Sequence, residues 1–165
     1  MAVTITKDSK ILFTLVYLVH KEQTLMIHRV KKENDIHKDK YNGLGGKLEK
    51  GETPLQCAMR EVKEESNLDI EDIKFKGHLL FPNFDGIGND WQVFLYRADS
   101  FSGELITENR EGNLVWIDND KMADLPLWEG DKIFLKYLYG PEIIDASFTY
   151  KNGQLSHHKI AILNN

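Results

Sequence analysis

The chain has 165 residues, of which 41% are hydrophobic and 28% are charged, and its formal net charge is −5. This length predicts one domain over residues 1–165 with a hydrophobic core of its own. The composition is that of an ordinary soluble protein, and the negative charge argues against broad nonspecific binding to nucleic acid. The only cysteine, Cys57, excludes an internal disulfide and favours a reducing compartment such as the cytoplasm.

The first predicted elements are two strands that form a hairpin. Residues 11–20 are almost continuously apolar and β-branched, which indicates a central strand that is too short to span a membrane. The polar segment 1–10 before it lacks the pattern of a signal peptide. Residues 25–30 predict the second strand. The charged segment 31–40 predicts an exposed loop, and Arg29 beside it is a candidate for contact with phosphate oxygens.

A helix is predicted to begin after Thr53. Thr53 is a good N-cap, Pro54 suits the first helical position, and Gln56 completes a Thr-x-x-Gln capping box. Asn67 tolerates the left-handed conformation that ends helices. The apolar positions that share a helical spacing, and so predict the buried face, are Leu55, Ala58, Met59 and Val62.

Three glutamates are predicted to lie on roughly the opposite face of this helix. Glu61, Glu64 and Glu65 occupy positions i, i+3 and i+4, so a helix stacks them about a turn apart. Carboxylates that close repel one another, and a divalent cation with a preference for oxygen ligands, Mg²⁺ or Mn²⁺, would remove the conflict. The alternative is a solvated helix face in which Arg60 pairs with Glu64. The glycine-rich loop over residues 43–51 allows the backbone to approach a ligand closely.

The second half of the chain predicts further strands. Residues 73–81 and 91–98 read as a hairpin around the turn at 85–90. Residues 101–113 predict a polar loop, and residues 114–118 a short strand.

The C-terminal third predicts a helix and a last hairpin. Residues 131–139 form an amphipathic pattern with Asp131 as a plausible N-cap. Residues 143–163 predict a hairpin around the turn residues 151–153. Many strands in hairpins, together with two helices, indicate an α+β fold, or α/β in the looser sense.

Around the acidic helix, a longer pattern resembles the Nudix box, Gly-x5-Glu-x7-Arg-Glu-(apolar)-x-Glu-Glu-x-Gly-(apolar), over residues 46–68. Asn67 stands where the family has glycine, and because asparagine tolerates positive φ we expect the helix end to survive. The matching residues are Gly46, Glu52, Arg60, Glu61, Val62, Glu64, Glu65 and Leu68.

This resemblance implies a fold, a reaction and a set of acidic residues. The fold is a mixed sheet sandwiched between helices, and the reaction is hydrolysis of nucleoside diphosphates linked to another moiety with Mg²⁺ or Mn²⁺. The resemblance also implies that Arg60 and Glu52 orient the acids, and it leaves the general base open between Glu64, Glu65 and a loop glutamate. The implied metal-binding residues are Gly46 through its carbonyl group, Glu61, Glu64, Glu65 and Glu111, which lies five residues before Trp116.

Three segments resemble the MutT-like branch of the family, namely residues 41–46, 78–81 and 127–131. They imply that Trp128 and Phe81 stack on a purine base. Taken singly, Phe81 could be a core residue, Trp128 a surface anchor and Asp131 only a helix cap. The other residues implied to bind substrate are Asn42 and Asp131 at the base edge, Thr14 on the first strand and Arg29.

The resemblance therefore implies hydrolysis of oxidised purine nucleoside triphosphates, such as 8-oxo-dGTP, to the monophosphate and pyrophosphate. The alternatives are another Nudix specificity (an unoxidised nucleoside triphosphate, ADP-ribose or the 5′ end of RNA) and a module that senses nucleotides without turnover. The intact acids argue against a sensor. The expected partner is a small-molecule nucleotide, without a stable nucleic-acid complex or a membrane, and the chain is either a monomer or a homodimer.

Overall fold

Strands dominate the part of the chain that the computed structural model describes, residues 10–164. The expectations for segment 1–9 and for Asn165 lie outside the described residues. The strands are β1 (Lys10–His20), β2 (Gln23–His28), β3 (Tyr41–Asn42), β4 (Asp69–Phe81), β5 (Asp90–Ser102), β6 (Asn113–Asp118), β7 (Ile144–Lys151) and β8 (Gln154–Ile162). The helices are α1 (Pro54–Ser66) and α2 (Glu129–Phe134), with 3₁₀ turns at Asn119–Asp124 and Leu135–Tyr137.

The sheet is mixed, with strand order β3-β2-β1-β5-β4-β7-β8 and β6 paired to β2. The pairs β1–β5 and β4–β7 are parallel, and the three hairpins expected from the sequence are antiparallel. β4 begins four residues earlier than expected and β5 extends to Ser102, so the predicted polar loop starts later than residue 101.

Helices cover both faces of this sheet. On one face, Val16 and Leu18 of β1 pack with Ala58 and Val62 of α1. On the other face, Tyr17 packs in a cluster with Phe134 and Leu135 of the C-terminal helical segment, and with Leu79, Leu95 and Phe148. The α+β arrangement with a mixed sheet between helices is confirmed.

The two ends of α1 follow the sequence signals. The Thr53 side chain accepts a hydrogen bond from the Gln56 N–H at 3.1 Å, and the Gln56 side chain accepts one from the Thr53 N–H at 2.9 Å. Asn67 adopts φ 67°, the left-handed conformation, so asparagine replaces glycine there without disrupting the helix end.

The predicted apolar face of α1 is wrong at two positions. Leu55 and Met59 are 44% and 43% exposed, whereas Cys57, Ala58, Val62 and Ser66 are buried. At about 100° per residue, the buried arc is centred nearer to Glu61 and Glu65 than expected. The acids therefore flank the buried face instead of opposing it, and two of them are partly removed from water.

Candidate active site

A cavity of about 480 Å³ opens beside α1 and α2 and brings together most of the predicted site residues. Its volume lies in the range of small-molecule sites. Glu65, Arg60 and Glu52 lie outside the lining. Glu65 and Arg60 contact the lining residues Gly45 and Glu61, and Glu52 is bonded to Arg60. The predicted residues that line the cavity are Thr14, Arg29, Asn42, Gly46, Glu61, Glu64, Phe81, Glu111, Trp128 and Asp131.

The glycine loop lies between β1 and the acids of α1. A side chain at Gly45 would overlap the Thr14 carbonyl group, and a Cβ at Gly46 would lie 2.6 Å from the Glu61 carboxyl group. The Gly45 N–H donates to Glu65 Oε1 at 3.0 Å. The Gly46 carbonyl oxygen accepts the Thr14 N–H at 2.8 Å, so a metal ion would have to use its second lone pair.

Arg60 organises the carboxylates on the outer side of this loop. Its Nε and Nη2 donate to the two oxygens of Glu52 at 2.7 and 2.9 Å, and its Nη1 donates to Glu61 at 2.8 Å. The hydrogen bonds from Arg60 lower the pKa of Glu52 to about 2. Glu64 lies 3.3 Å from Arg60 Nη1, and its side chain is 59% exposed. Arg60 and Glu52 thus form a bidentate pair that fixes the orientation of Glu61.

The surroundings of Glu65 and Glu61 disfavour the ionised forms of both carboxyl groups. Burial, followed by the charge of Glu111, raises the pKa of Glu65 well above its usual value. Burial also raises the pKa of Glu61, against the hydrogen bond from Arg60. Asn109 brings Glu111 to this place, because its amide group donates to the Glu65 carbonyl oxygen at 3.1 Å and its Oδ1 accepts the Glu111 N–H at 2.9 Å. Three carboxyl groups from two segments are therefore held in one neighbourhood.

A divalent cation fits these acids chemically. Carboxylate oxygens are the ligands that Mg²⁺ prefers, and a cation would stabilise the ionised forms that burial and mutual repulsion oppose. Within residues 10–164, no three acidic, histidine or cysteine side chains are already arranged as a complete metal centre. Arg60 donates hydrogen bonds to Glu61 and Glu64, and the Glu64 side chain is exposed.

The second part of the cavity is aromatic. The rings of Phe84 and Tyr150 each lie 5.3 Å from Trp128, edge to face, and Lys40 Nζ lies 4.9 Å from the Trp128 ring centroid. Phe81 packs on Phe84 at 5.5 Å and is 9% exposed, so it is both a core residue and a cavity wall. Of these rings, Phe81 and Trp128 line the cavity and give it an aromatic surface, and Phe84 and Tyr150 pack behind Trp128.

Asp131 is not the helix cap that its position suggested. α2 begins at Glu129 with Trp128 as N-cap and without a side-chain cap. As the third residue of the helix, Asp131 is instead directed into the cavity with only 7% exposure. Burial raises its pKa to about 7, although the charge of Lys40 opposes the shift. A carboxyl group in this state can donate or accept a hydrogen bond near neutral pH.

The segment that carries Trp128 and Asp131 is supported by β7. The Gly130 N–H donates to the Tyr150 hydroxyl oxygen at 2.7 Å. A Cβ at Gly130 would lie 2.8 Å from that oxygen and 2.9 Å from the Phe148 ring, so only glycine allows β7 to approach this closely.

The remaining predicted substrate residues differ in how directly they face the cavity. Asn42 pairs with Ile27 at the sheet edge. The Thr14 hydroxyl group forms a hydrogen bond with Cys57 at 3.3 Å, so it is directed to α1 even though the residue lines the cavity. Arg29 forms ion pairs with Asp35 at 2.8 Å and with Glu111 at 3.2 Å.

Sequence reasoning missed several lining residues. Phe13 and Leu15 lie on the face of β1 opposite to the Thr14 side chain, because successive strand residues point to opposite faces, so the strand period counted from Thr14 does not identify them. Trp91 and Val93 also line the cavity because β5 pairs in parallel with β1. No local pattern in the sequence predicts this pairing. His37 lies in a segment expected to be an exposed loop, and no pattern in that segment distinguishes it.

The structure thus combines acids on a helix, a glycine loop beside them and an aromatic cavity on a mixed sheet, which is the arrangement of a hydrolase site. The NUDIX domain family model matches residues 12–138, and the chain belongs to this family. Its members generally use a divalent metal ion.

Curated relatives agree with this membership. The oxidized purine nucleoside triphosphate hydrolase of Danio rerio is 35% identical over 73% of this chain and 74% of its own length. The mouse (Mus musculus) protein of the same name is 31% identical over 86% of this chain and 87% of its own length. An uncharacterized Nudix hydrolase of Bacillus subtilis (strain 168) is 35% identical over 64% of this chain and 69% of its own length.

A solved structure shows the same fold. The crystal structure of the MutT protein of Bacillus halodurans superposes with a TM-score of 0.81 at 26% identity, covering 91% of this chain and 97% of that one. Within residues 10–164, no helix combines the length and apolar character needed to cross a membrane.

Proposed function

We propose that this chain hydrolyses oxidised purine nucleoside triphosphates, such as 8-oxo-dGTP, to the nucleoside monophosphate and pyrophosphate with Mg²⁺, for which Mn²⁺ can substitute. The observation that carries the proposal is the single cavity that joins the acids of α1 to an aromatic pocket containing a buried carboxyl group. Two relatives are named for hydrolysis of oxidised purine nucleoside triphosphates, which supports the same substrate class here. We also propose that the chain acts as a single domain and that it works in the cytoplasm, where Cys57 would stay reduced.

The aromatic part of the cavity would bind the base. Trp128 and Phe81 offer ring faces for stacking. Asn42 can donate and accept on a base edge, and Asp131 can do either because its pKa is about 7. Oxidation at the purine C8 position adds a carbonyl oxygen and an N–H group, so a pocket with groups of both kinds can distinguish the oxidised base.

The acidic part would bind the phosphates and their metal ion. When bound, magnesium neutralises phosphate charge and lowers the pKa of a coordinated water molecule. Glu61, Glu64, Glu65 and Glu111 would hold it, while Arg60 and Glu52 keep Glu61 oriented. Lys47, Arg110 and Arg29 also line the cavity and are the cationic residues that could contact phosphate oxygens, although Arg29 is already paired with Asp35 and Glu111. Glu64, Glu65 and Glu111 are the candidates for the general base.

The deciding experiment compares kcat/KM for 8-oxo-dGTP and dGTP with Mg²⁺, and measures pyrophosphate and orthophosphate separately. We expect a preference of about a hundredfold or more for the oxidised substrate, about 2.7 kcal/mol of transition-state discrimination, with pyrophosphate as the product. Equal turnover of both substrates would discard the specificity and make ADP-ribose and 5′-triphosphate RNA the next substrates to assay. Absence of turnover with every nucleotide would favour a sensor.

A further inference from the structure

The segment between β2 and β3, expected from its charges to be an exposed loop, turns two side chains inward. The Asp35 side chain is 6% exposed and accepts the Arg29 Nε–H at 2.8 Å. His37 lines the cavity. Its backbone N–H donates to Asp35 Oδ1 at 3.0 Å, so Asp35 holds the backbone of His37 on one side and the Arg29 side chain on the other.

His37 makes a specific contact with the aromatic part of the cavity. The Trp128 Nε1–H donates to His37 Nδ1 with a nitrogen–nitrogen distance of 2.7 Å, which is at the short end of the distances found for hydrogen bonds in proteins. The His37 ring lies edge to face with Trp128 at 5.7 Å and is stacked near Phe84 at 6.4 Å. Phe84 and Tyr150 confine the indole ring by packing, whereas this hydrogen bond fixes the direction in which its N–H points.

His37 can accept this bond only as a neutral imidazole, because Nδ1 must lack a proton. Its surroundings favour that form. Burial, with the nearby charges of Arg29 and Lys40, lowers the pKa of His37 to about 4, and only Asp35 opposes the shift. At neutral pH the single ring proton is therefore on Nε2, and Nδ1 remains an acceptor for the indole.

The contacts form a continuous chain that ends among the acids. Arg29 Nη1 lies 3.2 Å from Glu111 Oε2, on the loop that Asn109 attaches to α1. The sequence of contacts therefore runs from Glu111 through Arg29, Asp35 and His37 to Trp128. The sequence suggested Arg29 as a phosphate contact. In the structure its Nε and Nη1 contact the carboxylates of Asp35 and Glu111.

We propose that His37 is a positioning residue that holds the Trp128 indole for base stacking, and that Asp35, anchored by Arg29, holds His37 in place. The proposal rests on the proposed function only in taking Trp128 as a base-binding residue. His37 acts through Trp128 and not on the reacting phosphate, so its loss raises KM for a purine nucleoside triphosphate and leaves kcat nearly unchanged. One neutral hydrogen bond corresponds to a rise in KM of about tenfold.

The direct test observes the indole N–H itself. The chain contains three tryptophans, so a ¹⁵N-labelled sample gives three indole resonances, and Trp128→Phe identifies the one from Trp128. His37→Phe keeps an aromatic ring and deletes the acceptor, His37→Gln keeps an acceptor, and His157→Phe is the matched control on the exposed face of β8. We expect the Trp128 resonance to move upfield and exchange faster with water in His37→Phe, and to stay near its wild-type position in His37→Gln and His157→Phe.

A second variant tests the longer reach of the contacts. Asp35→Ala removes the acceptor that holds the His37 backbone without changing Trp128 or His37 themselves. We expect it to move the Trp128 indole resonance upfield, as His37→Phe does. The double variant Asp35→Ala/His37→Phe should raise KM no more than His37→Phe alone, because residues that act as one unit are not additive. Additive effects on KM would refute the coupling. Asp35→Asn keeps an acceptor for the His37 N–H and is the matched control, which should leave the Trp128 resonance near its wild-type position.

The outcomes separate this proposal from the proposed function. Turnover of 8-oxo-dGTP by the wild type, with an equal KM in His37→Phe or an unmoved Trp128 resonance, would refute the positioning role alone. Absence of turnover in the wild type, with a Trp128 resonance that shifts on nucleotide addition and loses that response in His37→Phe, would refute the proposed function alone.

Discussion

Replacing Asp131 with asparagine should change how the stability of the protein depends on pH. Burial raises the pKa of Asp131 from 3.8 to about 7. The unfolded chain therefore loses this proton near pH 4, whereas the folded protein keeps it until about pH 7. Over that interval the unfolded state binds fewer protons than the native state, so the contribution of Asp131 to the free energy of unfolding falls as pH rises.

The size of the effect follows from the two pKa values. A shift of three units corresponds to about 4 kcal/mol over the whole range, of which about 2 to 3 kcal/mol falls between pH 5 and pH 8. Asparagine has a similar shape and does not titrate. We therefore expect the stability difference, Asp131→Asn minus wild type, to grow by about 2 to 3 kcal/mol from pH 5 to pH 8.

Urea unfolding of both proteins at several pH values measures this difference in the free energy of unfolding. Groups that titrate alike in both proteins contribute equally to each and cancel in the difference. The charged or titratable groups that interact with Asp131 are Lys40, Tyr17 and Tyr150. Burial raises the pKa of both tyrosines above their ordinary value near 10, so neither tyrosine titrates in this interval. A stability difference that stays constant within about 0.5 kcal/mol from pH 5 to pH 8 would refute the reasoning, because it would mean that Asp131 ionises as it does in water.

Three further predictions concern the active site. Glu65→Gln should lower kcat by about two to four orders of magnitude while the thermal unfolding midpoint is kept, and a nearly unchanged rate would exclude Glu65 from metal binding and base chemistry. Trp128→Ala should raise KM for the nucleotide about 10- to 100-fold, the worth of base stacking, with a much smaller loss of stability; an unchanged KM would remove Trp128 from the base pocket. Glu52→Gln should weaken Mg²⁺ activation about 10- to 100-fold because Arg60 loses its bidentate partner, and Mg²⁺ titrations that coincide with wild type would contradict that role.

The parts of this structure that the sequence predicted well depend on local signals. The capping box at Thr53, the left-handed Asn67 and the spacing of the glutamates each act within a few residues, so the helix and its acids could be located from the chain alone. The last hairpin was predicted in the same way, from the turn at residues 151–153.

The parts that were wrong or missed depend on contacts between distant segments. The exposure of Leu55 and Met59 follows from how α1 is rotated against β1 and β4, which the helical period does not specify. Asp131 fits a capping pattern, but the helix starts at Glu129, and the Tyr150 hydroxyl group that accepts the Gly130 N–H is 20 residues away along the chain. His37 was missed because its partner is 91 residues away.

The packing of β7 against Gly130 has a consequence for how new specificities can arise. The hairpin of β7 and β8 lies beyond residues 12–138, the part matched by the family model, yet Tyr150 and Phe148 support the turn that carries Trp128 and Asp131. The acids are therefore encoded in one part of the chain, and the support of the base pocket in another. Substitutions in the C-terminal hairpin are therefore expected to alter the cavity around Trp128 and Asp131 more than the acids of α1.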